Sequence, residues 1–244
     1  MVIMPNPYFQ FKQFTIQQGQ SAMKVTTDAC VLGALANKLV QTQPVYFHRG
    51  LDIGAGTGVL SLMLTQDTSL FVDAVEMDRL AATECASNVQ ASPFANRITV
   101  HPVRIEEYKT TPELYDIIIC NPPFFKASLP SPNERINLAR HENLLNSERL
   151  LQEVFTRMTD KGTAMILMPA DRDEGFRKKA DAENLFIHST IYIQHTELHQ
   201  PFRVIYLLRK FYADETTRRL VIRDNHNAYT KEMQELMQPF YLKL

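Results

Sequence analysis

The stretch Asp116-Ile117-Ile118-Ile119-Cys120-Asn121-Pro122-Pro123-Phe124-Phe125 decides the fold. Ile117 to Cys120 is an unbroken apolar run, the pattern of a strand buried on both faces of a parallel sheet. The run stops at Asn121-Pro122-Pro123. Proline cannot donate to a sheet ladder, and Pro122 drives Asn121 out of the helical region. The chain therefore leaves the sheet at the carboxyl end of this strand, where open α/β sheets hold their ligands. Two aromatic residues, Phe124 and Phe125, follow at once.

Those residue types suit chemistry on an amino nitrogen conjugated to a ring or a carbonyl. The lone pair of such a nitrogen is delocalised, so it is planar and a poor nucleophile. Two acceptors placed on its two hydrogens favour a pyramidal nitrogen with its lone pair aimed at an electrophile. The Asn121 side-chain oxygen and the Pro122 carbonyl can supply that pair from one rigid turn, by positioning and electrostatics rather than by proton abstraction. Phe124 can stack on the face of a planar base. Asn-Pro is also an ordinary turn signal. Its place after a buried strand, downstream of a glycine-rich loop, favours the chemical reading.

That loop is Leu51-Asp52-Ile53-Gly54-Ala55-Gly56-Thr57-Gly58-Val59-Leu60, an apolar strand end, a tight turn and then a helix to about Gln66. Glycines let the backbone turn sharply and approach a ligand closely. Val59 stands where the dinucleotide fingerprint wants its third glycine, and Gly58 makes the pattern Gly-x-Gly-x-Gly, which points away from nicotinamide cofactors. The next strand, Leu70 to Glu76, ends on an acidic residue about 20 positions beyond the loop, where a carboxylate can accept from both ribose hydroxyls.

Upstream, alternating Phe9 and Phe11, then Phe14 and Ile16, predict a small hairpin turning near Gln18-Gly19. Thr26-Thr27-Asp28 before Ala29 to Ala36 predicts an N-cap and a helix, with Thr27 and Asp28 as capping residues at a helix end that also suits an anion. Downstream, helical spacing over 79–92, a strand over Arg97–His101 and a helix over Asn146–Thr159 are expected. A strand over Thr163–Met168, a helix over Asp171–Asn184 and an antiparallel pair, Ile187–Ile193 and Arg203–Arg209, come next. Leu220-Val221-Ile222 can add a strand before a helix over Tyr229–Met237. Lys126 to Asn143 has no periodicity, and long irregular loops are often functional. Its Lys126, Arg135, Arg140 and His141, with Arg203, put cations beside the proposed reaction site, although each alone reads as solvated surface.

The chain has 244 residues, 45% hydrophobic and 22% charged, consistent with one large α/β domain spanning 1–244. No stretch approaches the ~20 apolar residues of a membrane helix, and Met1 to Phe14 does not read as a signal peptide. Cys30, Cys85 and Cys120 are widely spaced among apolar residues and read as reduced core cysteines of a cytoplasmic protein; no metal-ligand spacing is present. The net charge of −1 means that any nucleic-acid contact must come from local patches.

Together, the strand, the Gly-x-Gly-x-Gly loop, the acidic end of strand two and Asn-Pro-Pro-aromatic after strand four resemble the class I S-adenosylmethionine-dependent amino methyltransferases. The fold this implies is Rossmann-like: a seven-stranded, mostly parallel sheet with helices on both faces and the last strand antiparallel. Further matches are Phe11-Lys12-Gln13-Phe14, Ala22-Met23-Lys24-Val25-Thr26-Thr27-Asp28, Arg97-Ile98, Ala139-Arg140-His141, Leu220-Val221-Ile222-Arg223 and Phe240-Tyr241-Leu242. With these the chain, from about Phe9 onward, resembles the bacterial valine-tRNA adenine-N6 methyltransferases. The resemblance implies methylation of the adenosine just 3′ of the anticodon, position 37, by a monomer that uses no metal.

By the same resemblance, Asp52, Gly54, Gly56 and Gly58 line the methionine part of S-adenosylmethionine and Glu76 its ribose. Asn121, Pro122 and Phe124 serve catalysis, and Asn121 also meets the cofactor. Pro123, Phe124, Phe125, Lys126 and Arg140 hold the anticodon stem-loop. Lys24 and Thr27 lie in a short N-terminal extension, about 1–28, that covers the cofactor. One departure stands out. Many relatives carry Asp before Ile to accept from the cofactor's adenine amine, and here Arg104 precedes Ile105. Arginine cannot accept, so Glu106, a backbone carbonyl or packing must replace it. The competing reading is a protein-glutamine N5-methyltransferase acting on release factors, whose amide nitrogen suits the same turn. More distant readings are an rRNA amino-group methyltransferase and a non-catalytic RNA-binding module.

Overall fold

The computed structural model describes residues 6–109, 114–122 and 147–244. A short antiparallel pair opens the chain, β1 (Tyr8–Gln10) and β2 (Thr15–Gln17). It does not turn at Gln18-Gly19 as the sequence suggests. The turn is Phe11 to Phe14, closed by the Phe11 N–H donating to the Phe14 carbonyl at 2.8 Å. The reason is burial: the rings of Phe11 and Phe14 stack at 4.6 Å and are 1% and 5% exposed, so the aromatic anchors fix where the chain reverses. The same turn meets the far end of the chain. The Lys12 N–H donates to the Phe240 carbonyl at 2.8 Å, and Phe11 bridges Tyr241.

Then come α1 (Thr27–Thr42), β3 (Arg49–Ile53), α2 (Val59–Thr65), β4 (Phe71–Val75), α3 (Arg79–Gln90), β5 (Ile98–His101) and β6 (Tyr115–Cys120). After these follow α4 (Ser147–Arg157), β7 (Met158–Pro169), α5 (Asp173–Ala182), β8 (Phe186–Gln194), β9 (Arg203–Arg209), β10 (Thr216–Val221) and α6 (Lys231–Met237). Thr26 caps α1, its hydroxyl accepting from the Ala29 N–H, so the capping expected of Thr27 falls one residue earlier.

Eight strands form one sheet in the order β10-β8-β9-β7-β6-β3-β4-β5. β9 runs antiparallel to both its neighbours, and every other adjacent pair is parallel. The expected seven-stranded arrangement is thus present from β5 to β8, with the antiparallel strand inserted between β7 and β8. β10 adds an eighth strand at the edge, parallel to β8.

The apolar run of β6 serves two cores. Ile117 and Ile119 pack with residues of α1, α2, α3 and α6, whereas Ile118 and Cys120 face α4 and α5. All four are essentially inaccessible, so each isoleucine contributes roughly 2 kcal/mol of apolar burial. Period-two alternation on a doubly covered sheet gives a continuous hydrophobic run, as the sequence reads. The register pairs Ile53 with both Val75 and Cys120. Gly54, Glu76 and Asn121 therefore stand side by side at the carboxyl rim, one residue beyond three adjacent strands.

Candidate active site

Past Ile53 the chain folds over the end of β4. The N–H groups of Gly54 and Ala55 donate to the Val75 carbonyl at 2.9 and 3.1 Å. Gly58, at φ +81, is the N-cap of α2. A Cβ there would lie 2.7 Å from Cys85 Sγ, so both its backbone angle and the close approach of α3 require glycine. Gly54 and Gly56 differ: a Cβ at either would meet nothing within 4 Å. Their outer faces are an open floor.

Glu76 stands over that floor, 8% exposed. Its Oε2 accepts from the Gly56 N–H and its Oε1 from the Asp78 N–H, both at 2.8 Å. Each oxygen keeps further lone-pair capacity. Asp78 caps α3 by accepting from the N–H groups of Leu80 and Ala81 at 2.9 Å. The carboxylate is thus held in place by the glycine loop at one oxygen and by the entry to α3 at the other.

Two neighbouring polar groups are only half satisfied. Asp52 is fully buried, and its Oδ2 accepts from the Ser61 hydroxyl at 2.7 Å while Oδ1 has no protein partner. Burial, with a smaller push from Glu76, raises its carboxyl to about 7 against the lowering effect of Ser61. Asn121 is half-buried, and its Oδ1 is inaccessible and without a partner. Most buried polar atoms in proteins are paired, and an unpaired acceptor costs about 1–3 kcal/mol. Burial pushes the adjacent Cys120 thiol well above its usual range, so it is an inert wall and not a nucleophile.

These elements enclose a cleft. Of the residues singled out from the sequence, Gly54, Gly56, Glu76 and Pro122 line it, and so do Arg104 and Glu106. The Arg104 guanidinium lies 3.7 Å from the Glu106 carboxylate, so the cation that cannot accept brings an acceptor to the same wall. Asp52, Gly58, Asn121, Lys24 and Thr27 do not line the cleft: Asp52 and Gly58 are buried, and Asn121, Lys24 and Thr27 are half-buried. Arg203 is engaged elsewhere, with its Nε 2.8 Å from Asp28 Oδ2 and its guanidinium over the Phe202 ring. Pro123, Phe124, Phe125, Lys126, Arg135, Arg140 and His141 lie outside the described residues.

Ser21, Ala22 and Met23, from the extension expected to cover the cofactor, wall the cleft, and Val103 and Ile105, from the stretch expected to meet the adenine, add apolar surface to it; of these, Ser21 alone carried no mark in the sequence. Glu84 and Asn88 were missed as well. They sit one turn apart on α3 and hold the Gln17–Ser21 backbone. Polar residues at that spacing on a helix look solvent-facing, and only a second polar-to-backbone partner in space would have revealed them.

The Methyltransferase small domain family matches residues 32–168. A tRNA1(Val) (adenine(37)-N6)-methyltransferase of Cytophaga hutchinsonii is 38% identical over 99% of this chain and 100% of its own length. The protein of that name from Dyadobacter fermentans is 39% identical over 98% of each. The chain belongs to this methyltransferase family. Among solved structures, one from Agrobacterium tumefaciens described as a predicted O-methyltransferase superposes with a TM-score of 0.66. It covers 87% of this chain and 96% of that one at 16% identity, a likeness of fold alone. The methyltransferase thus keeps its half-satisfied polar groups at the carboxyl rim, beside the glycine loop.

Proposed function

We propose that this methyltransferase transfers the methyl group of S-adenosylmethionine to the N6 amine of adenosine 37, beside the anticodon of valine tRNA. The observation that carries the reading is Asn121 Oδ1, a buried acceptor without a partner next to a cleft-lining Pro122. The names of the full-length relatives supply the substrate.

The residues present fit the cofactor. An open glycine floor, the Glu76 carboxylate and the unpaired Asp52 Oδ1 together ask for a ligand rich in N–H and O–H donors. We assign Asp52, Gly54, Gly56 and Gly58 to the methionine end, Glu76 to the ribose hydroxyls and Glu106, held by Arg104, to the adenine amine. Lys24 and Thr27 belong to an extension, about 1–28, that covers this end of a single domain spanning 1–244. When bound, S-adenosylmethionine supplies an electrophilic methyl group on a sulfonium centre.

The chain's own contribution is placement. Asn121 Oδ1 accepts from one amine N–H and the Pro122 carbonyl from the other, turning the nitrogen lone pair towards the methyl carbon. With the cofactor bound, the N–C bond would form as the methyl–sulfur bond breaks and leaves a neutral thioether; both oxygens would stabilise the amine as it becomes cationic, and one proton would be lost to solvent. We assign Phe124 to stacking on the base, and Pro123, Phe125, Lys126 and Arg140 to holding the anticodon loop. A single-stranded loop base costs little to splay out. No described helix is long and apolar enough to cross a membrane, and the enzyme works in the cytoplasm, where its RNA is.

The test uses labelled cofactor with total tRNA in one reaction and peptide-release factors in another. Label recovered as N6-methyladenosine at position 37 of valine tRNA supports the reading. Label on glutamine with none in RNA overturns it in favour of the protein-glutamine reaction.

A further inference from the structure

Glu84 and Asn88 are buried, 8% and 2% exposed, yet neither is needed to make α3 a helix. Asn88 Oδ1 accepts from the Gln17 N–H at 2.8 Å, and its Nδ2 donates to the carbonyls of Gln17 and Thr57, both at 2.9 Å. It therefore joins β2 to the glycine loop. Glu84 Oε2 accepts from the Gln20 N–H at 2.7 Å and Oε1 from the Ser21 N–H at 3.0 Å. A buried carboxylate is tolerated only when hydrogen-bonded, and Glu84 gives both oxygens to one irregular segment. Gln18 closes that segment by accepting from the Val25 N–H at 2.9 Å.

What the segment delivers is Ser21. This residue lines the cleft, is 8% exposed, and its hydroxyl is buried without a protein partner. An unpaired buried hydroxyl beside a ligand cleft costs stability unless a ligand satisfies it. We propose that the Ser21 hydroxyl is a further cofactor contact, hydrogen-bonding a polar group of S-adenosylmethionine, and that Glu84 is the positioning residue that aims it. This rests on the cofactor reading of the cleft given above.

Glu84→Gln keeps the volume but replaces one acceptor oxygen by an amide that confronts an N–H, so the Gln20-Ser21 backbone must shift. Ser21→Ala removes only a group that the folded protein leaves unpaired, so its folding is safe. Equilibrium dialysis with S-adenosylmethionine is run on the wild type, both single variants and the double variant. Each single change is expected to raise the cofactor Kd by about tenfold, the scale of one hydrogen bond involving a charged group. The double variant should be no weaker than the weaker single variant, since Glu84 acts through Ser21. Binding of tRNA without cofactor should stay at the wild-type value throughout. Wild-type affinity in Ser21→Ala, or single effects that multiply to about 100-fold in the double variant, overturns the inference alone. A wild-type protein that binds no S-adenosylmethionine overturns the cleft reading and the inference together.

Discussion

Two sets of acidic and amide groups sit within a few residues of each other on the central strands and are treated in opposite ways. Asp73, in β4, is saturated. Its Oδ2 accepts from Arg49 Nη2 and the Tyr115 hydroxyl, each at 2.9 Å, and its Oδ1 lies 2.7 Å from His101 Nε2. Burial would raise its carboxyl, but His101, Tyr115 and Arg49 outweigh it and hold the group below the usual carboxylate range. At the carboxyl rim, Asp52 and Asn121 each keep a buried oxygen with no partner. The saturated group is finished structure, whereas the rim groups are complete only with a ligand. Asp173 repeats the saturated pattern, taking the hydroxyls of Tyr192 and Tyr206 and the Arg177 guanidinium.

The contrast breaks first at Asn121. Asn121→Ala is expected to cut turnover by about 100-fold, the loss typical of one preorganised polar group, while cofactor affinity and folding stay near wild type. Single-turnover kinetics that match wild type would place Asn121 with the structural groups.

Asp73→Asn should do the reverse, lowering stability by roughly 2–3 kcal/mol while leaving activity per folded molecule unchanged. A broken buried pair costs about 3–5 kcal/mol, and Asp73, with its side chain 17% exposed, loses somewhat less. The folded pKa is depressed, so this stability is present above the unfolded value of 3.8 and lost as pH falls through the lower folded one. Urea titrations at pH 6 and pH 3 should therefore show the gap between variant and wild type shrinking in acid.

Glu76→Gln lies between the two classes, because the carboxylate both braces the glycine loop and faces the cleft. Its expected cost is about tenfold in cofactor Kd, or 1.4 kcal/mol, read by calorimetry on protein whose melting temperature has been checked. The final comparison concerns sign rather than size. The Asp52 carboxyl is raised to about 7, so its stabilising contribution is full below 3.8 and declines as pH rises towards 7. Asp52→Asn should gain on the wild type across that window and then level off. A constant difference between pH 4 and pH 7 would mean that Asp52 is not held neutral by burial.

Much of this was legible because doubly covered strands leave a strong trace. The runs of β3, β4 and β6 and the bounds of β9 follow directly from apolar periodicity and turn residues. Gly54, Gly56, Glu76 and Pro122 follow from the rule that ligands sit at strand carboxyl ends. What the sequence hid depends on distant partners. The hairpin reverses at Phe11–Phe14 because those rings find a buried niche near Tyr241. Arg203 looked like a free cation near the reaction site, but Asp28 claims it across 175 positions. Glu84 carried no signal of its role, because nothing local marks a carboxylate that holds another segment's backbone.

The contact between Lys12 and Phe240 has a consequence for how the enzyme comes into being. The turn between β1 and β2 is anchored by Phe240 and Tyr241, which lie far along the sequence. Lys12 Nζ also donates to the Gln238 carbonyl at 2.5 Å, a pairing 226 positions apart. Contacts of such long range form late, after the entropy of closing the whole chain has been overcome. The segment that follows this hairpin is the one that carries Ser21 into the cleft wall. The two ends of this segment are thus held independently, the hairpin turn by residues around Phe240 and the Gln17–Ser21 backbone by Glu84 and Asn88 of α3, so loosening the late contact frees the turn before it frees the Ser21 wall.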